Sequence, residues 1–153
     1  MHPELVRIGD FFIPTYGVLV ALAFLVALWM ASRLAARAAL DREAVVNLGV
    51  YIGLAGIIGA KILMVVMDFD YYRQNPREIF SLSTLQSGGV FYGGLILALV
   101  TALLYMRHKR LPALDTTDVY APGVALGHAI GRLGCFSAGC CFGVECKRAW
   151  GVT

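Results

Sequence analysis

From Phe11 to Ser32 the chain runs without a charged residue. A helix that crosses the hydrocarbon core of a bilayer needs about 20 such apolar residues, because buried backbone groups must bond within their own segment. That single run restricts the chain to membrane architectures. Three further stretches repeat the pattern. Ala44 to Met67 is broken by one charge, Lys61; Gly88 to Met106 has none; and Val119 to Phe136 starts near Pro122-Gly123 and closes around Arg132. The composition agrees: 59% of residues are hydrophobic and 15% charged, against about 45–50% and about 25% in soluble domains. The reading is an all-α, polytopic transmembrane helix bundle with four spans. A net charge of +3 spread over loops is topology information and not a nucleic-acid surface. Met1-His2-Pro3-Glu4 lacks the basic run and cleavage site of a signal peptide.

The loops orient the spans. Arg33, Arg37 and Arg42 follow the first, and Arg107, Lys109 and Arg110 follow the third. The loop between the second and third, 68–87, mixes Asp68, Asp70, Arg73, Arg77 and Glu78. Positive residues stay on the cytoplasmic side, so the N-terminus and the 68–87 loop are expected outside. The fourth span then runs outward. Asn75-Pro76-Arg77-Glu78 reads as the start of a short interfacial helix, with proline in first position. Residues 1–153 read as the N-terminal part of one transmembrane domain, with a C-terminal part expected beyond the abrupt end at Thr153.

The stretch from His128 to Gly143 concentrates the polar chemistry: one arginine, several glycines and three cysteines. Arginine and bare backbone amides are what proteins use to hold a phosphate, and such groups are costly in a membrane unless they function. Tyr16, Lys61, Tyr92 and Arg132 all fall in the outer part of their spans; Lys61, for example, precedes Met67 by about 9 Å of helix. Each has a plainer reading. Lys61 can snorkel or pair with Asp68 or Asp70, the tyrosines can be interfacial aromatics, and His128 reads as a packed or hydrogen-bonded core residue. Gly49, Gly53, Gly56 and Gly59 suit a close-packing helix face. The doublets Gly88-Gly89 and Gly93-Gly94 suit either tight packing or close approach of a ligand. Cys135, Cys140, Cys141 and Cys146 lack the paired arms of zinc sites. They read as small packing residues with room for one disulfide.

These residues together resemble the N-terminal half of the prolipoprotein diacylglyceryl transferase family. The resemblance runs through His2-Pro3, Ile8-Gly9, Tyr16-Gly17, Gly59-Ala60-Lys61, Asp70-Tyr71-Tyr72 and Gly93-Gly94-Leu95. It ends in Gly131-Arg132-Leu133-Gly134-Cys135-Phe136, followed by Gly139 and Gly143. It departs from the family where Tyr92 stands in place of a histidine. It departs again where Cys135, Ala138 and Cys140 replace asparagines and an acidic residue.

What the resemblance implies is a seven-helix bundle in the bacterial inner membrane, of which this chain holds the first spans, with its site towards the outer leaflet. The implied reaction transfers a diacylglyceryl group from phosphatidylglycerol to the lipobox cysteine of a prolipoprotein signal peptide, releasing glycerol phosphate. It implies that Arg132 holds the lipid phosphate, with Tyr16 orienting the headgroup and Tyr92 donating a hydrogen bond. Lys61, Gly93, Gly94, Gly139 and Gly143 are implied at the lipid, with no metal or cofactor. Two other classes stand beside the enzyme: a diverged lipid- or precursor-binding membrane protein, and a membrane redox protein that uses the cysteines.

Overall fold

The computed structural model describes residues 4–8, 11–80 and 89–139. In chain order they form a hairpin of β1 (Glu4–Ile8) and β2 (Phe11–Pro14), then α1 (Thr15–Arg37) and α2 (Arg42–Met67). A short α3 (Phe69–Gln74), a 3-10 turn (Pro76–Phe80), α4 (Phe91–Lys109) and α5 (Ala113–Ala138) follow. Among the described residues three helices, α1, α2 and α4, are long and apolar enough to cross a membrane, which fits the expected all-α membrane bundle. α5 matches α2 in length at 26 residues, but Pro122, His128 and Arg132 dilute its apolar surface and it is not among those three.

Two of the expected span starts lie further along the chain. The first span begins at Thr15, not Phe11, because Phe11–Pro14 pairs antiparallel with Glu4–Ile8, Ile13 lying opposite Val6 and Phe11 opposite Ile8. Pro14 disfavours helical backbone at Ile13, and the aromatic and β-branched residues before it favour extended chain. The third span begins at Phe91; Gly89 and Val90 before it are not helical. In the loop, Pro76 opens the 3-10 turn, as its fixed φ suits.

The chain divides into two compact units, residues 1–31 with 119–153, and Ser32–Asp118. In the second, α2 and α4 run antiparallel over a seam of small residues, Gly56, Gly59 and Ala60 against Gly94, Gly93 and Gly89. Close backbone approach of this kind is how membrane helices gain packing energy where lipid removes the hydrophobic drive. At the other end of the pair the rings of Tyr51 and Tyr105 meet at 5.4 Å. Asp41 caps α2 by accepting from the Glu43 amide at 3.0 Å. The Arg42 Nε donates to the buried Ser32 hydroxyl at 2.6 Å, so that polar group is satisfied.

In the first unit, α1 and α5 also run antiparallel, Ala27 at Gly123, Ala23 at Gly127, and Tyr16 with Leu19 at Gly134. Pro122 inside α5 removes one amide donor from the helix ladder. The outward faces of the spans, with Leu25, Trp29, Ile57, Ile62 and Leu104, are exposed and apolar, as a lipid-facing surface requires.

Candidate functional site

Tyr16 lies in the first turn of α1, and Gly134 near the end of α5. A Cβ on Gly134 would stand 3.2 Å from the Tyr16 Cδ2 and 3.5 Å from the Leu19 Cβ. The missing side chain is therefore the space the tyrosine ring uses. Arg132 precedes Gly134 by two residues, about 3 Å along the axis and about 200° around it. Tyr16 and Arg132 thus share one level of the α1–α5 pair but not one face. Arg132 is exposed on the side of α5 turned away from α1. Beside it, a Cβ on Gly131 would have no neighbour within 4 Å, so the helix surface next to Arg132 is open at that residue.

His128 occupies the same face one turn earlier. The expectation for it is a packed or hydrogen-bonded core residue; here its side chain is exposed. Residues four apart lie one above the other on a helix, with Cβ atoms about 5–6 Å apart, so an imidazole and a guanidinium project side by side from α5. The signal was present in the sequence as the spacing His128-x-x-x-Arg132, and was hidden by reading each residue alone.

α5 ends at Ala138, and Gly139 follows with φ of 66°. That left-handed conformation favours glycine and closes the helix; the Gly139 amide donates to the Phe136 carbonyl at 3.2 Å. Gly139 thus has a backbone role independent of any ligand. Cys135 is a half-buried free thiol. Gly143, Cys140, Cys141 and Cys146, and with them the suggested disulfide, lie outside the described residues.

The other expected residues belong to the α2–α4 unit. The Val90 amide, just before α4, donates to the Ala60 carbonyl of α2 at 3.1 Å, which pins the start of α4 beside Lys61. A Cβ on Gly89 would stand 2.6 Å from the Ala60 Cβ, and one on Gly94 2.7 Å from the Gly56 carbonyl oxygen. Gly59 and Gly93 face each other so closely that a Cβ on either would collide with the carbonyl of the other. The close approach permitted by Gly93 and Gly94 is therefore to α2, in keeping with the packing reading of that doublet. Lys61 and Tyr92 flank this seam; Lys61 is half-buried, while Tyr92 is 69% exposed with its ring edge-on to Phe91 at 5.8 Å. An open groove of about 490 Å³ between Tyr51, Thr101, Tyr105 and His108 lies at the opposite end of the pair and contains none of the expected site residues.

Comparison with known proteins bears on what such an arrangement does. A family model described as prolipoprotein diacylglyceryl transferase matches residues 3–153. The phosphatidylglycerol–prolipoprotein diacylglyceryl transferase of Synechococcus elongatus is 36% identical over 149 residues, covering 97% of this chain and 50% of that protein. That of Clostridium tetani is 33% identical over 152 residues, covering 99% of this chain and 60% of the relative. The chain spans about half the length of these curated relatives.

Proposed function

Because the chain belongs to the prolipoprotein diacylglyceryl transferase family, we propose that the protein it forms transfers a diacylglyceryl group from phosphatidylglycerol to the cysteine thiol of a prolipoprotein lipobox. The observation that carries this reading to particular residues is the exposed Arg132 at the level of α5 where Gly134 seats Tyr16. A planar guanidinium matches a phosphodiester with two parallel hydrogen bonds, which a lysine does not.

In the reaction the cysteine sulfur attacks the glyceryl carbon that bears the phosphate. A C–S bond forms, the C–O bond breaks, and its electron pair leaves with glycerol phosphate. Negative charge gathers on the departing phosphate, so a fixed cation beside it stabilises the transition state more than the ground state. Arg132 supplies that cation, and Tyr16 orients the headgroup with its phenol. Lys61 offers a second cation for lipid phosphate, and Tyr92 a hydroxyl donor. Gly93 and Gly94 act at one remove, by letting α4 close on the helix that bears Lys61. Gly139 and Gly143 leave backbone bare after Arg132. The chemistry asks for no metal or cofactor.

The membrane arrangement proposed with it has α5 as a fourth span, the N-terminus and Arg132 towards the outer leaflet of a bacterial inner membrane, and the basic ends of α1 and α4 in the cytoplasm. The arginines and lysine at those ends support it.

The test is complementation. The full-length protein is expected to restore the mobility shift of a reporter lipoprotein in a transferase-depleted bacterium; a protein that binds phosphatidylglycerol without restoring the shift would favour the non-catalytic reading. Tyr92→Phe refines the assignment. A phenol is suited to donate a hydrogen bond and not to act as a base at neutral pH, so its removal is expected to weaken lipid binding by about fivefold, the worth of one hydrogen bond. Unchanged kinetics would remove the Tyr92 hydroxyl from the site.

A further inference from the structure

The transfer releases a proton from the attacking thiol, and the groups assigned above are not suited to accept it: the arginine and the lysine serve as cations, and phenols are poor bases at neutral pH. α5 carries one more group of the right kind. His128 is exposed, one turn before Arg132 on the face turned away from α1. Imidazole is the side chain suited to exchange protons between pH 5 and 8. We propose that His128 is the general base of the transfer, taking the proton of the lipobox thiol while Arg132 holds the phosphate that departs. The inference rests on the transferase reading.

The placement suits the chemistry. In a direct displacement the attacking sulfur and the leaving oxygen lie in line on opposite sides of one carbon. The base and the phosphate-holding cation must therefore be adjacent but distinct. One helical turn provides that separation, about 5–6 Å between Cβ atoms. The balance is complete. The S–H proton moves to an imidazole nitrogen, and the sulfur pair forms the C–S bond. The C–O pair leaves on glycerol phosphate against Arg132, and the imidazolium returns its proton to water or to the product. Around His128, three and four residues either side on α5, stand Val124, Ala125, Gly131 and Arg132, while Tyr16, Ala23 and Ala27 of α1 pack on the other face of the helix. Arg132 and Tyr16 are the ionisable side chains among these.

The experiment is steady-state kinetics of the full-length protein in vesicles of phosphatidylglycerol with a synthetic lipobox peptide, from pH 6 to pH 9. At neutral pH, His128→Asn is expected to lower kcat about 10- to 100-fold with little change in KM for the lipid. That lies at or below the lower end of the range for general bases, because a free thiol is already partly ionised there. As pH passes the thiol range near ~8.5, the defect is expected to shrink, since the substrate then ionises without help. The acid limb of the kcat/KM profile should move up in the variant to the thiol range, where the substrate's own ionisation then sets it. A defect equal at every pH, or one accompanied by a lower melting temperature and reversed by a packing residue in His128→Leu, would overturn the assignment in favour of a structural role. Wild-type activity with an unimpaired His128→Asn would overturn it while leaving the transferase reading intact. An inactive wild type would overturn both.

Discussion

Arg132→Ala is expected to reduce lipidation of a reporter precursor by at least about 10²- to 10³-fold, the usual cost of removing a group aimed at charge that develops in a transition state. The expectation follows from position as well as residue type. Arg132 is exposed on α5, with open space beside Gly131, so its guanidinium is not committed to holding the helix in place. Truncation should leave folding intact and remove the cation that the leaving phosphate needs. Arg132→Lys keeps the charge but loses the bidentate fork, and should fall between the two. The check is turnover of the full-length variants alongside their melting temperatures. A folded and fully active Arg132→Ala protein would remove the arginine from the mechanism.

Gly59→Val and Gly93→Val are expected to fail at folding. A side chain at either position would run into the carbonyl of the facing glycine, and one at Gly59 would also stand 2.7 Å from the Leu97 Cβ. Ordinary overpacking costs about 1–3 kcal/mol because neighbours can rotate away. Here the obstacle is the backbone of the opposite helix, so the cost should reach or exceed the top of that range. Parting the helices would also break the Val90–Ala60 hydrogen bond of 3.1 Å. Gly56 and Gly131 are the controls, since a Cβ at either meets nothing within 4 Å. The measurement is thermal melting of the purified full-length variants in detergent. Gly59→Val should lose most of its folded fraction, whereas Gly56→Ala and Gly131→Ala should melt with the wild type. Equal melting for all four variants would contradict the seam.

The membrane helices were legible because hydrocarbon imposes one solution on the backbone: long uncharged runs must be helices. Their ends were less so. Phe11 to Ile13 is as apolar as the helix after it, and only Pro14, restricting the residue before it, marks where extended chain gives way to α1. The fourth stretch was legible as a helix, but its glycines, Pro122, His128 and Arg132 leave its hydropathy below that of the other three spans. At the site, Arg132 and Tyr16 stood out by residue type and by family resemblance. Gly93 and Gly94 were ambiguous, since spacing cannot tell a glycine that admits a ligand from one that admits a helix. His128 was misread because burial depends on which face meets α1. That face is set by the contacts at Gly123, Gly127 and Gly134, which no local pattern announces.

The central claim is that this family member moves diacylglyceryl from phosphatidylglycerol to a lipobox thiol. The most direct measurement is mass spectrometry of a lipobox peptide after incubation with the purified full-length protein in phosphatidylglycerol vesicles, with glycerol phosphate assayed in the same sample. The account predicts a thioether adduct of one diacylglyceryl group and one glycerol phosphate released per adduct, both lost in Arg132→Ala. Lipid bound without adduct, or adduct formed without glycerol phosphate, would contradict it.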